Sequence, residues 1–338
     1  MNLRGYTIKA YSIPKILVIS YLVYNCALSP IGFYIHRLSI VLLVSSIASV
    51  FLAERSRLRA VVFREYSVLL LFAIYASVSG LLIARDRSLV LSQIWFLAEL
   101  LVVIYLICII SYKTGETDII PWAFLISSAI IAVYMLLGKA VMLRGGRMTL
   151  SEGFNSNTLG VFLMLGGWSL LMLCGKMKSS SWSVLLSVAG IALLFYLIIQ
   201  TGSRKATIGL IGVFVMWLLF AFRAKMSQVR RSVKWMSLLI MIAAVSVIVT
   251  RYGSKFLNAS DTILRRMEDL ESTEGSWTVR LDLVLDALKV FIRNPVFGVG
   301  LNNYRLYSAY AMYSHNTYAE VLACTGMIGG VIFFGLLG

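Results

Sequence analysis

The sequence predicts an all-α fold, a polytopic bundle of transmembrane helices, on three observations. Of its 338 residues 59% are apolar and only 14% charged, against ~45–50% and ~25% in a typical soluble domain. Nearly charge-free runs long enough to cross a bilayer as helices recur from end to end. Lysine and arginine, which account for most of a net charge of +16, bunch between alternate runs. This composition excludes a soluble enzyme, a nucleic-acid-binding module and a disordered tail. Backbone groups in hydrocarbon must be bonded within a helix or a closed barrel, and uninterrupted runs suit helices better than alternating ten-residue strands.

About ten spans are expected, at 16–32, 38–53, 66–84, 89–110, 120–143, 155–174, 182–200, 205–222, 235–250 and 316–338. The first follows Arg4, Lys9 and Lys15 as a secretory signal would. No small-residue cleavage site comes after it, and the next run begins almost at once, so it reads as a retained span. Orientation follows from the basic residues. With the N-terminus in the cytoplasm, the inner segments hold fifteen of them, including Arg55, Arg57, Arg59, Arg64, Lys113, Lys176, Lys178, Arg223, Lys225, Arg230, Arg231 and Lys234, against the acids Glu54, Glu65, Glu116 and Asp118. The charge is therefore topological, and no nucleic-acid partner is needed. The expected domains are a nine-span bundle over 1–250, an external connection over 251–315 and a tenth span over 316–338. Within the connection, Trp277, Leu281, Val284, Leu285, Leu288, Phe291 and Ile292 recur every three or four residues, which predicts an amphipathic helix over 277–293 on the membrane surface or against the bundle. Asn294-Pro295 ends that helix, and Phe297-Gly298-Val299-Gly300 reads as a tight return toward the bilayer. The last run is still apolar at Gly338, so further spans are expected beyond it.

Positive residues on the external side run against the positive-inside bias and so stand out. Arg85 and Arg87 flank Asp86 and read as headgroup anchors. Arg144 and Arg147 lie in a glycine-containing loop. Arg204-Lys205 follows Gln200-Thr201-Gly202-Ser203 in a connection of a few residues, which places a guanidinium at the external mouth of the bundle, where it can grip a pyrophosphate bidentately. His315, in Tyr313-Ser314-His315-Asn316-Thr317-Tyr318, sits where the external connection re-enters the membrane, and a neutral imidazole there can take a proton from a sugar hydroxyl. His36, beside Arg37, reads as structural. Glu99 and Glu320 are carboxylates within apolar runs, each either paired or part of a polar site. Asn155 and Asn157 either bind sugar hydroxyls or cap a helix. Cys26, Cys108, Cys174 and Cys324 lie inside apolar runs without metal-ligand or disulfide spacing and read as inert buried thiols.

Taken together, these residues resemble the bacterial O-antigen ligase and O-antigen polymerase superfamily. His315-Asn316, nine residues, Gly326, two residues and Gly329 match its His-Asn…Gly-x-x-Gly signature. Asn294-Pro295-Val296-Phe297-Gly298-Val299-Gly300 is similar to its Asn-Pro-Leu-Phe-Gly-Val-Gly stretch, with Val296 in place of leucine. Gly202-Ser203-Arg204 and the Gly153–Asn157 loop are similar to two further segments. The resemblance implies a metal-independent, inverting glycosyltransferase without a cofactor, seated in the bacterial cytoplasmic (inner) membrane with its active site facing the periplasm. Its donor would be a glycan on polyprenyl pyrophosphate, and its acceptor a glycan or the lipid A core. Arg204 and Arg280 would stabilise the leaving pyrophosphate and His315 would act as base, with Arg147, Asn155, Asn157, Lys205, Asn316 and Glu320 binding substrate. A ligase-type pattern of Arg, three residues and Leu is met only approximately, since Ile208 stands in the leucine position. This tilts the expectation toward a surface-polysaccharide polymerase, with an O-antigen ligase as the alternative. A flippase of lipid-linked oligosaccharide is the third reading, although the charged residues gather at one face and no paired broken helices are evident.

Overall fold

The computed structural model describes residues 10–32, 37–54, 64–143, 147–176, 181–217 and 277–337. The expected span 235–250, His36, Arg144 and the first part of the external connection lie outside the described residues. The chain divides into two compact units, Met1–Ser56 with Ile110–Ser260 and Arg57–Ile109 with Asp261–Gly338.

The first unit begins with α1 (Ser12–Val23), which runs into a π-helical turn at Tyr24–Leu28, and α2 (Leu38–Ala53). Pro14 lies in the first turn of α1, where its missing N–H costs no helical bond. With α3 (Arg64–Ile83) and α4 (Arg87–Thr114) assigned mainly to the second unit, the first continues in α5 (Ile119–Leu136). The sequence pattern carries α5 on to residue 143, but the helix stops at Leu136. Gly138 takes φ +69, its N–H reaches the Met135 carbonyl at 3.0 Å, and the Lys139 N–H reaches the Tyr134 carbonyl at 3.3 Å. This is a Schellman stop, and apolarity alone could not register it. The residues beyond form a small antiparallel hairpin, β1 (Val141–Leu143) with β2 (Arg147–Thr149), which pairs Leu143 with Arg147.

Three further helices of the first unit lie among the described residues: α6 (Ser156–Lys176), α7 (Ser181–Thr201) and α8 (Arg204–Trp217). Its core joins Ile131 and Met135 of α5, Leu159, Leu163 and Leu171 of α6, Leu194, Leu197 and Ile198 of α7, and Ala206 and Leu210 of α8. Gly160 lets α6 approach α8 so closely that a methyl there would lie 2.6 Å from the Ser203 Cβ. Small residues at such contacts suit helices that gain nothing from expelling water and must gain from van der Waals contact.

At one end of this unit Lys15 meets Glu116 at 2.6 Å and Asp118 at 3.0 Å, Lys113 meets Glu54 at 2.8 Å, and the Tyr11 hydroxyl donates to Glu54. Burial pushes the Glu54 carboxyl upward, but the hydrogen bonds from Lys113 and Tyr11 and the Lys113 charge outweigh it and hold the group below its ordinary range. Asp118 is lowered in the same way, against burial, chiefly by Lys15, with help from the Trp122 indole at 3.2 Å. A carboxylate with a depressed folded-state pKa contributes stability that is fully present above its unfolded value of about 4 and is lost as pH falls through the lower folded value. Purified protein should therefore lose thermal stability as pH drops from about 5 to about 3, and Glu54→Gln with Asp118→Asn should flatten that slope. An unchanged slope in the double variant would show that these pairs do not set the acid sensitivity.

Among the described residues, the second unit includes α3, most of α4, α9 (Trp277–Arg293) and α10 (Thr317–Leu337). Ala287 and Val290 of α9 pack with Val299, Tyr304, Ala319 and Ala323. Burial pushes the Tyr304 phenol up to about 12. It stays protonated and donates to the Leu283 carbonyl at 2.9 Å and to Asp286 at 3.3 Å, tying α9 to the loop after it. Buried Asn303 accepts the Asp86 N–H at 2.9 Å and donates to the Asp86 carbonyl at 3.0 Å, so the segment after α9 clasps the α3–α4 turn.

α10 is broken at Gly326, where φ is +66 and ψ is −165. The backbone groups released there bond to the 295–300 segment. Val299 and Gly300 donate to the carbonyls of Ala323 (3.0 Å) and Cys324 (2.8 Å), and the Met327 N–H reaches the Pro295 carbonyl at 2.7 Å. The Asn-Pro-Val-Phe-Gly-Val-Gly stretch and the Gly-x-x-Gly stretch are therefore two halves of one lock, which satisfies backbone in a helix that could not otherwise be broken in lipid. Tyr75 of α3 adds a hydroxyl to the Thr325 carbonyl at 3.0 Å. A methyl at Gly326 would lie 2.3 Å from the Val296 carbonyl oxygen, whereas one at Gly335 meets nothing within 4 Å. Gly326→Ala should cost at least about 2 kcal/mol, from left-handed strain and the backbone clash together. Gly335→Ala should be near neutral, and equal thermal stability of the two variants would refute the lock.

Five helices (α3, α4, α5, α6 and α10) are long and apolar enough to cross a membrane, and four shorter apolar helices occur among the described residues. Many of their large apolar side chains are exposed, among them Leu71, Ile74, Val78 and Leu82 of α3. Water would not tolerate such faces and lipid does.

Candidate active site

In the first unit, the sequence-selected residues meet at the ends of α6 and α7. Asn155 ends the loop before α6, and its Oδ1 accepts the Asn157 N–H at 2.8 Å, the helix-capping role. Asn157 Oδ1 in turn accepts from a terminal guanidinium nitrogen of Arg147 at 2.8 Å, and Arg147 Nε donates to the Thr201 carbonyl at 3.2 Å. Arg147 therefore covers the C-terminus of α7, where the helix dipole favours a cation. Its side chain lies against Gly202, where φ is +66 and an added methyl would come within 3.1 Å of it. Arg204 is the first residue of α8, two residues past this glycine, and Lys205 beside it is exposed. The connection between α7 and α8 thus turns on Gly202 and is braced by Arg147 from β2. The bond from Arg147 to Thr201 has no signal in the sequence, because the partners are 54 residues apart and one of them is a carbonyl.

In the second unit, the described residues line a cavity of about 380 Å³ that includes Phe72, Tyr313, His315, Asn316, Thr317 and Glu320. His315 is exposed and has φ +55, the left-handed region, which histidine enters more readily than most side chains. Asn316 caps α10, its Oδ1 accepting the N–H groups of Tyr318 (3.0 Å) and Ala319 (3.1 Å). The imidazole therefore projects from the residue just before a capped helix, and the Tyr313 ring centroid lies 4.2 Å from its own. Glu320, one turn into α10, accepts from the N–H and the hydroxyl of Ser314, both at 3.0 Å. Ser314 is fully buried. The sequence offers no signal for it, because a capping box pairs residues three apart whereas Ser314 and Glu320 are six apart. Arg280 lies on α9, while Glu99 sits half-buried midway along α4. Among the described residues, no three His, Cys, Asp or Glu side chains gather as a metal site would require.

The segment from within α7 to α10 contains the Gly202–Lys205 turn and the second cluster, and it matches the family model described as O-antigen ligase over residues 189–334. Over that segment, which is less than half of its length, the chain is similar to the O-antigen ligase family. The match takes in Arg204, Arg280, the Asn294–Gly300 lock, His315 and Gly326, and leaves Arg147, Asn155 and Asn157 outside it. Together with the apolar helices it makes the chain a multi-pass membrane protein with an O-antigen ligase or polymerase type of function. Comparison with curated protein sequences gave no match.

Proposed function

We propose that the protein is a membrane glycosyltransferase that moves a glycan from polyprenyl pyrophosphate to a sugar hydroxyl on the external face, acting as a surface-polysaccharide polymerase. The reading rests on His315, an exposed imidazole on a cavity wall, held in a fixed turn immediately before a capped helix. In the proposed step the acceptor hydroxyl attacks the anomeric carbon from the side opposite the leaving group and its proton passes to His315. The bond to pyrophosphate breaks, and Arg204 and Arg280 offset the negative charge that develops on it. Arginines aimed at that charge lower the barrier because they bind the transition state more strongly than the intact donor. The donor arrives already activated, so the transfer proceeds without a nucleotide-sugar fold. The choice of polymerase over ligase rests on Ile208, which stands in the leucine position of the ligase-type pattern.

The deciding experiment is the glycan phenotype of a deletion strain complemented with this chain. Single repeat units on the final acceptor in the deletion, restored to long chains by complementation, support the polymerase. Long polymer left unattached on its lipid carrier would mean a ligase, and lipid-linked units trapped on the cytoplasmic face would mean a flippase.

A further inference from the structure

We infer that Glu320 is a positioning residue for His315, acting through Ser314 and not on substrate; the inference rests on the proposed role of His315 as base. Left-handed backbone is unfavourable for any residue with a Cβ, so a histidine there must be held from both sides. On the C-terminal side the Asn316 cap fixes the chain. On the N-terminal side the only polar anchor among the described contacts is Ser314. Its N–H points to Glu320 Oε2 at 3.0 Å, and its hydroxyl oxygen lies 3.0 Å from the same carboxylate oxygen and 2.8 Å from the Asn316 carbonyl. The one hydroxyl proton is thus shared between the two acceptors, while the backbone bond to Glu320 is exclusive. Ser314 is fully buried, so in the intact protein no solvent competes with the carboxylate for its N–H. The two contacts to one Glu320 oxygen close the backbone segment from Ser314 to Glu320, which contains His315. Glu320 also borders the cavity, which makes it easy to misread as a substrate contact.

The test separates the acceptor oxygen from its charge. Glu320→Gln keeps an oxygen that can receive the Ser314 N–H, and Glu320→Ala removes it. Both are made in a His36→Ala background, so that His315 is the sole histidine of the two in the sequence. Purified protein carrying ¹³C-labelled histidine, in lipid nanodiscs, is read by the imidazole resonance, and polymer formation is read in the complemented deletion strain at matched membrane levels. The Gln variant should keep the parent resonance and fall in activity by no more than about 5-fold. The Ala variant should show a shifted or multiple resonance and a loss of about 100-fold, the size expected when a reacting group is misplaced by about 1 Å. If the Ala variant does not accumulate, Glu320→Asp, which withdraws the carboxylate by one methylene, gives the same comparison. An Ala or Asp resonance identical to the parent would overturn the positioning role. So would a Gln variant as inactive as Ala with its resonance unmoved, since the charge itself would then be acting in the reaction. Full activity of His315→Ala would instead remove the base reading, while the resonance would still report whether Glu320 holds the imidazole.

Discussion

Replacing His315 by alanine is expected to lower product formation by about 100- to 10,000-fold, the usual cost of losing a general base, with little effect on folding. The structural basis for sparing the fold is specific. The cap of α10 belongs to Asn316, and the lock across its break belongs to Pro295, Val299 and Gly300. The His315 side chain is exposed and meets the ring of Tyr313. The variant should therefore insert and purify like the parent, and it should still bind the lipid-linked donor if arginines hold the pyrophosphate. Because alanine tolerates φ +55 poorly, His315→Asn is the stricter variant: asparagine accepts left-handed backbone but offers no base. Thermal stability and turnover should be measured on the same purified samples. Two inactive but stable variants would place the loss in chemistry. Near-normal turnover by a stable His315→Asn protein would leave arginine-assisted departure of pyrophosphate as the main catalytic contribution.

The sequence made the long helices legible because lipid imposes one solution on an apolar run. Thus α3, α4 and α6 follow runs marked by charge at their ends, and α10 follows the apolar run after His315. What it could not show is where backbone departs from that solution. α5 ends seven residues before its apolar run does, since Gly138 adopts a conformation that composition does not record. α10 breaks at Gly326 without leaving its apolar run, and the compensating donors lie about 26 residues upstream, at Val299 and Gly300. The candidate site divides along the same line. Arg204, His315 and the asparagines attract notice because they are polar groups at the expected external ends of apolar runs, Arg204 against the positive-inside bias. Ser314, Asn303 and Tyr304 do not, because each acts through backbone atoms of distant segments. Asn155 and Asn316 show the cost of reading type without geometry: the side-chain oxygen of each is already committed to helix N–H groups, which narrows any contact with sugar to the remaining amide.

Arg204→Lys is the second large effect expected, a loss of about 100-fold or more although the charge is kept. A guanidinium grips two phosphate oxygens through a planar fork, and an ammonium acts as a point charge that cannot reproduce it. Losing one preorganised donor to a developing anion typically costs about 100- to 1,000-fold. The local backbone is built to fix the position: Arg204 opens α8 directly after buried Ser203, and Gly202 turns the chain under Arg147, which is bonded to Thr201. Arg147→Lys should be milder, since a lysine can still approach the Thr201 carbonyl at the end of α7, although it forfeits the simultaneous bond to Asn157. Polymer length and initial rate should be compared at equal expression, with thermal stability as the control for folding. If Arg204 only anchors a helix end among lipid headgroups, lysine will substitute almost freely, because an anchor needs charge and reach but no fork. That outcome would end the assignment of Arg204 to the pyrophosphate and leave Arg280 to carry it.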